Sequence, residues 1–219
     1  SFDCTCKEGY SQSELESGVT NIYSAAQAFA AVKSDGTVVT WGNLSLGGNS
    51  SAVLDELQNV QSISSATYAF AALKTDGTVV TWGESGAGGD SSLVSEQLQN
   101  VQSIYSTGSA FAALKTDGTV VTWGNNGGDS SKVSDQLQNV QSIYSTNSAF
   151  AALKTDGTVV IWGSPDKGGN ASAVSSQLQD VKTIYSTPWA FAALKADGTV
   201  VTWGNQAYGG DNSSVLDQL

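Results

Sequence analysis

The 219-residue chain contains no histidine, no arginine and no methionine, and it has only two cysteines and two prolines. Histidine is the commonest general base and the commonest transition-metal ligand, so its absence removes the usual groups for acid–base and metal-dependent catalysis. Serine is abundant, but no serine lies in a nucleophile-elbow sequence beside an evident base. We therefore expect a protein that is not an enzyme and that uses neither a cofactor nor a metal.

Positive charge is also scarce in this sequence. Nine lysines stand against 20 acidic residues, which gives a net charge of −11 at pH 7. Nucleic-acid binding requires cationic groups that displace counterions from phosphates, so we expect no nucleic-acid partner. Anionic membrane surfaces are disfavoured for the same reason. No apolar run approaches the roughly 18 residues of a spanning helix, so we expect no membrane insertion.

One unit of about 40 residues recurs five times from Val19 onward, which is typical of a repeat architecture. Each copy carries an Asp-Gly and a Trp-Gly pair in register. The repeats occupy residues 19–59, 60–100, 101–139, 140–180 and 181–219, and residues 1–18 form a tail of different composition. Because the chain starts without methionine and stops within the repeating pattern, we expect it to be a piece of a longer protein.

The third repeat shows how each unit is expected to form a sheet. Strand character is found at residues 101–106, 110–115 and 119–123, and the Asp-Gly pair between the last two predicts a hairpin turn with positive φ at both positions. Counting outward from that turn pairs Leu114 with Val121 and Ala112 with Trp123. This register places Phe111 on the opposite face from Trp123.

The segment after Trp-Gly predicts one or two helical turns, or an irregular connector, docked by Val133 and Leu137. It begins with Gly-Gly-Asp/Asn-Ser-Ser, which we interpret as turn capping. A calcium site is the weaker interpretation, because one carboxylate or amide per loop is far short of the six to eight oxygens that calcium takes.

Both faces of the predicted three-stranded sheet are largely apolar, so a single unit must stack on its neighbours. Three strands in about 40 residues favour an all-β fold, a β-propeller of about five three-stranded blades. An open β-solenoid and part of a seven-bladed ring are the alternatives. The tryptophans of the Trp-Gly pairs are interpreted as core residues at all five positions: Trp41, Trp82, Trp123, Trp162 and Trp203.

The spacing from valine through alanine-leucine and Asp-Gly to Trp-Gly, as in VQSIYSTGSAFAALKTDGTVVTWG, resembles the repeat of the regulator of chromosome condensation (RCC) family. The short unit is similar to that of the propeller-type β-lactamase inhibitory proteins. The resemblance implies a propeller used as a rigid recognition scaffold, whose loops on one face grip a partner. That family commonly has seven blades, so closure with five blades, completion by further repeats and an open stack all remain alternatives here.

The tail sequence SFDCTCKEGYS resembles the end of an epidermal-growth-factor-like (EGF-like) module. A disulfide between residues two apart is strained, so we expect Cys4 and Cys6 to pair with cysteines outside this chain; a free Cys-x-Cys in an unstructured tail is the alternative. The module-like interpretation indicates an oxidising environment. Four Asn-x-Ser sequons agree and are candidate glycosylation sites: Asn43, Asn49, Asn170 and Asn212. We expect a secreted or cell-surface protein.

Strand order places the loop between the first two strands and the loop after Trp-Gly on one face, opposite the Asp-Gly turns. The Asp-Gly face is nearly invariant, and a lysine recurs beside each turn, which fits turn chemistry better than a functional charge ring. The other face varies between copies, and its exposed residues are candidates for partner binding. The candidates are Gln27, Tyr68, Ser109, Ser148, Trp189 and Tyr208. Trp189 and Tyr208 belong to one repeat and could form a single anchor.

These features predict a secreted, non-enzymatic repeat protein that serves as a structural or adhesive module in a larger assembly. The near identity of the middle repeats favours this role, because identical surfaces suit regular packing with copies of the chain or with other subunits. A discrete protein-binding or inhibitor propeller that uses the variable face is the alternative. Carbohydrate binding through Trp189 and the tyrosines is a third hypothesis.

Overall fold

The computed structural model describes residues 18–218, in which fifteen strands form five three-stranded antiparallel sheets in chain order. We call these sheets blades 1 to 5. Their strands are β1 (Val19–Ser24), β2 (Ala28–Lys33), β3 (Val38–Gly42), β4 (Val60–Ser65), β5 (Ala69–Lys74), β6 (Val79–Gly83), β7 (Val101–Ser106), β8 (Ala110–Lys115), β9 (Val120–Gly124), β10 (Val140–Ser145), β11 (Ala149–Lys154), β12 (Val159–Gly163), β13 (Val181–Ser186), β14 (Ala190–Lys195) and β15 (Val200–Gly204). The prediction of an all-β propeller built from three-stranded blades is confirmed.

The helical elements of residues 18–218 are 3₁₀ turns that follow the third strand of each blade. They span Leu44–Leu46, Ser51–Glu56, Ser85–Ala87, Ser92–Gln97, Ser134–Gln136, Pro165–Lys167, Ser175–Gln177, Gln206–Tyr208 and Ser213–Gln218. Within this part of the chain, none of them has the length and apolar character that crossing a bilayer demands.

The Asp-Gly hairpin joins the second and third strands of every blade, but its loop has three residues instead of two. In blade 3 the N–H of Gly118 donates to the carbonyl of Lys115 (3.0 Å), and the N–H of Lys115 donates to the carbonyl of Thr119 (2.9 Å). Gly118 has a positive φ of 79°, whereas Asp117 does not lie in the left-handed region. The prediction of positive φ at both positions is therefore wrong, because the loop is a turn closed by one left-handed glycine.

The extra loop residue shifts the strand register by one relative to the prediction. Leu114 pairs with Val120 instead of Val121, and Phe111 pairs with Trp123. The rings of Phe111 and Trp123 stack with their centroids 5.3 Å apart, so these residues share one face. The same stacked pair recurs in the other four blades.

Each blade therefore has an aromatic face and an alanine face, and the aromatic face of one blade packs on the alanine face of the blade before it. The joint between blades 2 and 3 contains Ala69, Ala71 and Leu73 from the alanine face and Phe111, Ala113, Val121 and Trp123 from the aromatic face. Small alanines leave room for the large rings, which gives the close packing that protein interiors require. The connectors fill the joints as predicted, with Leu137 buried and Val133 packed against the cluster of blades 3 and 4.

Hydrogen bonds repeat across each of the four joints. The N–H of Val140 at the start of blade 4 donates to the carbonyl of Gly118 in the Asp-Gly turn of blade 3 (2.9 Å), and the other joints have the equivalent bond. In three joints a buried indole also donates across the joint, as Trp123 Nε1 does to the carbonyl of Gly88 (3.0 Å). In the remaining joint, between blades 3 and 4, Trp162 Nε1 is buried and has no acceptor among residues 18–218.

The two ends of the stack differ from the joints. No inter-blade hydrogen bond within residues 18–218 links blade 5 to blade 1. Among the described residues, no blade packs on the aromatic face of blade 1, and Trp41 is 43% exposed. The prediction that all five Trp-Gly tryptophans are core residues is therefore wrong for Trp41 and is confirmed for the other four, which are buried.

Candidate functional site

The loop face is built from the loops that follow the first and third strands of each blade, and these two loops are hydrogen-bonded to each other. In blade 5 the N–H of Asn205 donates to the carbonyl of Trp189 (3.0 Å), and in blade 1 the N–H of Asn43 donates to the carbonyl of Gln27 (2.8 Å). Blades 2 to 4 have the equivalent bond. The prediction that both variable loops lie on one face is confirmed.

In four blades the loop after Trp-Gly forms a 3₁₀ turn that ends at a left-handed glycine. In blade 5 the turn Gln206–Tyr208 ends at Gly209, whose φ is 102°, and the side chain of Asn205 accepts a hydrogen bond from the N–H of Ala207 (3.1 Å). These bonds hold the backbone of the turn, so Tyr208 projects from a fixed position. Blade 3 has a loop that is two residues shorter and has no such turn.

Three side chains come together at the edge of the loop face, and we call Lys167, Trp189 and Tyr208 the blade-5 patch. The rings of Trp189 and Tyr208 stack with centroids 5.5 Å apart and an interplanar angle of 27°. Lys167 Nζ, from the blade 4 loop, lies 4.5 Å from the centroid of the Trp189 ring, which is within cation–π distance. Tyr208 is 56% exposed and Trp189 is half-buried. The patch thus combines an exposed aromatic surface with one positive charge.

Thr187 fixes the two aromatic residues of the patch through the backbone of their loops. Its hydroxyl donates to the carbonyl of Tyr208 (3.0 Å) and accepts from the N–H of Trp189 (3.2 Å). The same hydroxyl accepts from the N–H of Ala190 (3.0 Å), the first residue of β14. Because the patch is anchored to a strand, little conformational entropy is lost when a partner binds it.

The other four candidate binding residues have different surroundings. Ser148 is buried and accepts a hydrogen bond from Lys167 Nζ (3.4 Å), so it supports the patch from below. Gln27 is exposed and accepts from Asn43 Nδ2 (3.2 Å) in its own blade. Tyr68 packs against the cluster of blades 2 and 3, and Ser109 is half-buried.

Lys167 is the patch residue that the sequence analysis missed. Its position in the sequence could have indicated it, because Lys167 is the one lysine in the loops between the Trp-Gly and Gly-Gly pairs. Sequence alone does not show that this loop of blade 4 lies over a tryptophan of blade 5.

A central opening on the loop face is lined by small residues from all five blades. Its volume is 630 Å³, and its described lining contains serine, threonine, alanine, glycine, asparagine and proline but no charged side chain. Several of the hydroxyls tie neighbouring blades together, as when Ser106 Oγ donates to the carbonyl of Ser65 and Ser145 Oγ donates to the carbonyl of Ser106 (2.8 Å each). The described lining of this opening therefore offers hydrogen-bond donors and acceptors.

The opposite face carries the Asp-Gly turns, whose charged residues act within the turns. Asp117 Oδ1 accepts hydrogen bonds from the N–H of Thr119 (2.9 Å) and from its hydroxyl (2.6 Å). The Thr119 hydroxyl and N–H hold the pKa of Asp117 below its ordinary value, and the same arrangement lowers the pKa of the turn aspartates in blades 2, 4 and 5. The recurring lysines beside the turns are Lys33, Lys74, Lys115, Lys154 and Lys195, of which Lys33, Lys74 and Lys195 lie within 4.0 Å of their turn aspartates.

The Gly-Gly-Asp/Asn-Ser-Ser segments cap the turns that follow them, as predicted. Asp129 Oδ1 accepts from the N–H of Ser131 (2.9 Å), and the side chains of Asn49, Asp90, Asn170 and Asp211 make the equivalent bond.

The remaining sequence predictions concern modification. Asn43, Asn49 and Asn170 are exposed and Asn212 is half-buried, and glycosylation at these sequons stays a prediction. Cys4 and Cys6, with the EGF-like resemblance of the tail, lie outside the described residues.

No protein-family model matches the chain, and no curated protein matches it in sequence. Solved structures match it in fold. Human WBSCR16 is similar with a TM-score of 0.57 and 19% sequence identity, over 86% of this chain and 62% of that one. Prp20p from Saccharomyces cerevisiae is similar with a TM-score of 0.52 and 18% identity, over 85% of this chain and 58% of that one. The CRINKLY WD40 ectodomain of the Arabidopsis thaliana receptor kinase ACR4 is similar with a TM-score of 0.51 and 13% identity, over 91% and 68%.

These likenesses show an RCC1-like propeller fold, since Prp20 is yeast RCC1. The chain spans about three fifths of the length of the WBSCR16 and Prp20p structures. Prp20 has been solved bound to Kap60, and Prp20p has been characterised for binding to Gsp1p and histones. The fold is therefore one whose known examples include protein-binding repeat modules.

Proposed function

We propose that the chain is a protein-binding repeat module that works outside the cell as part of a larger assembly, and that it is not an enzyme. The observation that carries the proposal is the blade-5 patch, where Lys167, Trp189 and Tyr208 are held together on a rigid stack of blades. Tryptophan and tyrosine dominate the binding energy of many protein interfaces, because they bury a large area at a small cost in side-chain entropy.

The patch has the composition of an interface anchor. The Trp189–Tyr208 stack is an apolar surface with polar tips, and Lys167 adds a charge that favours an acidic or carbonyl-rich contact. The loops next to the patch differ from those of the other blades, as Pro165 shows in the turn that carries Lys167, so these neighbouring loops supply specificity.

The extracellular and structural parts of the proposal rest on the sequence. Three exposed sequons and the cysteine pair of the tail support secretion, and the nearly identical middle repeats support regular packing in an assembly. A discrete inhibitor would use the same patch but would act as a single soluble subunit. The two roles are separated by whether the native protein is recovered from its source within a polymer.

The patch is tested with the immobilised chain and the extracellular fraction of its source, followed by a titration of the partner that it retains. Trp189→Ala is expected to weaken binding by at least about thirtyfold, the effect of a hot-spot residue. The thermal midpoint should hardly change, because Trp189 lies outside the four buried clusters.

The matched control is Leu44→Ala, which removes a 71% exposed side chain from the loop face of blade 1. It should leave binding unchanged. Equal binding by wild type and Trp189→Ala would refute the patch as the contact site. The wild type and Trp189→Ala are also compared on a glycan array. Glycan binding by the wild type that is lost in Trp189→Ala would assign the patch to carbohydrate instead.

A further inference from the structure

The aromatic face of blade 1 is exposed although its residues are of the kind that every other blade buries. Val19, Ile22, Phe29, Val39 and Trp41 are between 42% and 61% exposed. Their equivalents in blade 2 are at most 6% exposed: Val60, Ile63, Phe70, Val80 and Trp82. Because an apolar patch of this kind is unfavourable in water, the face calls for a partner surface.

The alanine face of blade 5 at the other end of the stack has the matching vacancy. In blades 1, 2 and 4, the left-handed glycine after Trp-Gly faces the phenylalanine ring of the next blade so closely that an added Cβ would clash with it, as at Gly88, where the Cβ would lie 2.6 Å from the Phe111 ring. An added Cβ at Gly209 would meet no ring of the described residues within 4 Å, and a notch of 110 Å³ lies between Gly209, Tyr185 and Ala192. Tyr185 is 61% exposed there.

The backbone groups at the two ends are complementary as well. In each internal joint, the first valine of a blade donates to the glycine carbonyl of the preceding Asp-Gly turn. At the ends, the N–H of Val19 and the carbonyl of Gly198 make no such inter-blade bond within the described residues. The indole of Trp41 and the carbonyl of Gly209 are equivalent to the indole of Trp123 and the carbonyl of Gly88, which are hydrogen-bonded across an internal joint.

We propose that the aromatic face of blade 1 binds the alanine face of blade 5 of a second copy of this chain, so that the copies join head to tail. The contact continues the interface that already occurs four times within the molecule, with Phe29 in the notch beside Gly209. The second copy is the favoured occupant because its opposite end carries the residue types and the turn carbonyl that an aromatic face meets in all four internal joints, and the glycine carbonyl that accepts from the indole in three of them.

One repeated bond cannot form in this contact. Along the loop face, the N–H of Asn147 donates to the carbonyl of Pro188, and the earlier blades make the equivalent bond. Pro188 is the equivalent residue in blade 5, whose N–H would donate to the next blade. Proline has no N–H, so it cannot make this bond. The joint between copies therefore lacks one hydrogen bond of the internal joints, which makes it weaker and reversible.

The symmetry of the contact decides what it builds. Two different surfaces meet, so the interface is heterologous and generates open chains or closed rings of copies instead of a terminating dimer. Each copy carries a net charge of −11, and the joint is apolar. Salt screens the repulsion between copies, so association should increase with ionic strength.

The test is sedimentation velocity on the full chain from micromolar to millimolar concentration, at low and high salt. Wild type is expected to show a weight-average mass at least double that of the monomer at high concentration, and a higher mass at high salt. Val39→Glu in blade 1 and Ala192→Glu in blade 5 each place a charge in one end face and should each be monomeric. Leu93→Glu adds the same charge at a site that is 96% exposed and outside both faces, and should associate like wild type.

Mixing the two end-face variants gives the decisive result. Each keeps one intact face, so the mixture should form one-to-one dimers and nothing larger. Unfolding midpoints close to that of Leu93→Glu would show that the monomeric variants are folded. If Ala192→Glu is unfolded, Tyr185→Ser replaces it, and if Val39→Glu is unfolded, Val39→Ser replaces it. A wild type that stays monomeric would overturn the proposal. End-face variants that associate like wild type, or a mixture that forms no dimer, would also overturn it.

Discussion

The unpaired indole of Trp162 leads to a sharp stability prediction. Trp123 and Trp162 occupy equivalent positions in neighbouring blades, are equally buried, and stack on equivalent phenylalanines at nearly the same distance. They differ in one bond, because Trp123 Nε1 donates to the carbonyl of Gly88, whereas Trp162 Nε1 has no acceptor in the described part of the chain. The physical reason is the blade 3 loop, which is two residues shorter and lacks the 3₁₀ turn that carries this carbonyl in the other joints.

Replacing each tryptophan by phenylalanine removes the same volume from the same kind of site. Trp123→Phe also loses a hydrogen bond worth about 1 kcal/mol net, whereas Trp162→Phe removes a buried unpaired donor that costs about 1 to 3 kcal/mol. The shared loss of packing cancels in the comparison. Trp123→Phe should therefore lower the free energy of unfolding by about 2 to 4 kcal/mol more than Trp162→Phe does.

Urea unfolding of the three proteins, compared at equal m values, measures this difference. A loop exchange provides the control, in which Asn125 and Asn126 are replaced by the blade 2 sequence Glu-Ser-Gly-Ala. In that background the indole of Trp162 gains its carbonyl, and the two tryptophan substitutions should cost the same. Equal costs in the original chain would refute the reasoning, because they would mean that Trp162 Nε1 already has an acceptor.

Two further predictions concern the Asp-Gly turns. Gly118→Val and Gly198→Val both strain a left-handed position, at φ of 79° and 89°, but only the Gly118 side chain would meet the next blade, with its Cβ 3.2 Å from Asn139 Cα. Gly118→Val should therefore have the lower thermal midpoint, and equal midpoints would count against the contact between the turn and the next blade. The hydrogen bonds from Thr119 hold the pKa of Asp117 below its value in the unfolded chain. The stabilising effect of the Asp117 carboxylate is therefore present above about pH 4 and is lost as the pH falls through the lowered pKa. Asp117→Asn should lose less stability than wild type between pH 6 and pH 3 in chemical unfolding, and an identical loss would show that this carboxylate contributes nothing.

The strands and their stacking follow directly from the sequence, because the pattern repeats five times. The strand near Val101 and the hairpin around Gly118 were placed correctly within one residue. The connector was also identified, since Leu137 and the capping Asp129 signal a docked turn.

The register could not be predicted from the Asp-Gly pair alone. Asp-Gly suits both a two-residue turn and a three-residue loop with one left-handed glycine, and the choice moves every facing residue by one. The stacked pair of Phe111 and Trp123 distinguishes the two loops, but that contact is visible only once the strands are paired. The exposure of Trp41 likewise depends on its place at the end of the stack and not on its local sequence, which matches that of the buried tryptophans.

The blade-5 patch was half predictable. Trp189 and Tyr208 belong to one repeat and to loops that topology brings together, so their stacking follows from counting strands. The position of Lys167 over Trp189 depends on the packing of blade 4 on blade 5. The sequence of one chain contains no signal for a contact of this kind between neighbouring blades.

The central claim is that this propeller binds a protein through its loop face, and lysine cross-linking of the complex with its retained partner tests it most directly. The chain carries Lys167 in the patch and five lysines beside the Asp-Gly turns on the opposite face. We expect cross-links from Lys167 to the partner and none from the turn lysines Lys33, Lys74, Lys115, Lys154 and Lys195. Cross-links that come from the turn lysines while Lys167 gives none would contradict it and place the binding surface on the Asp-Gly face.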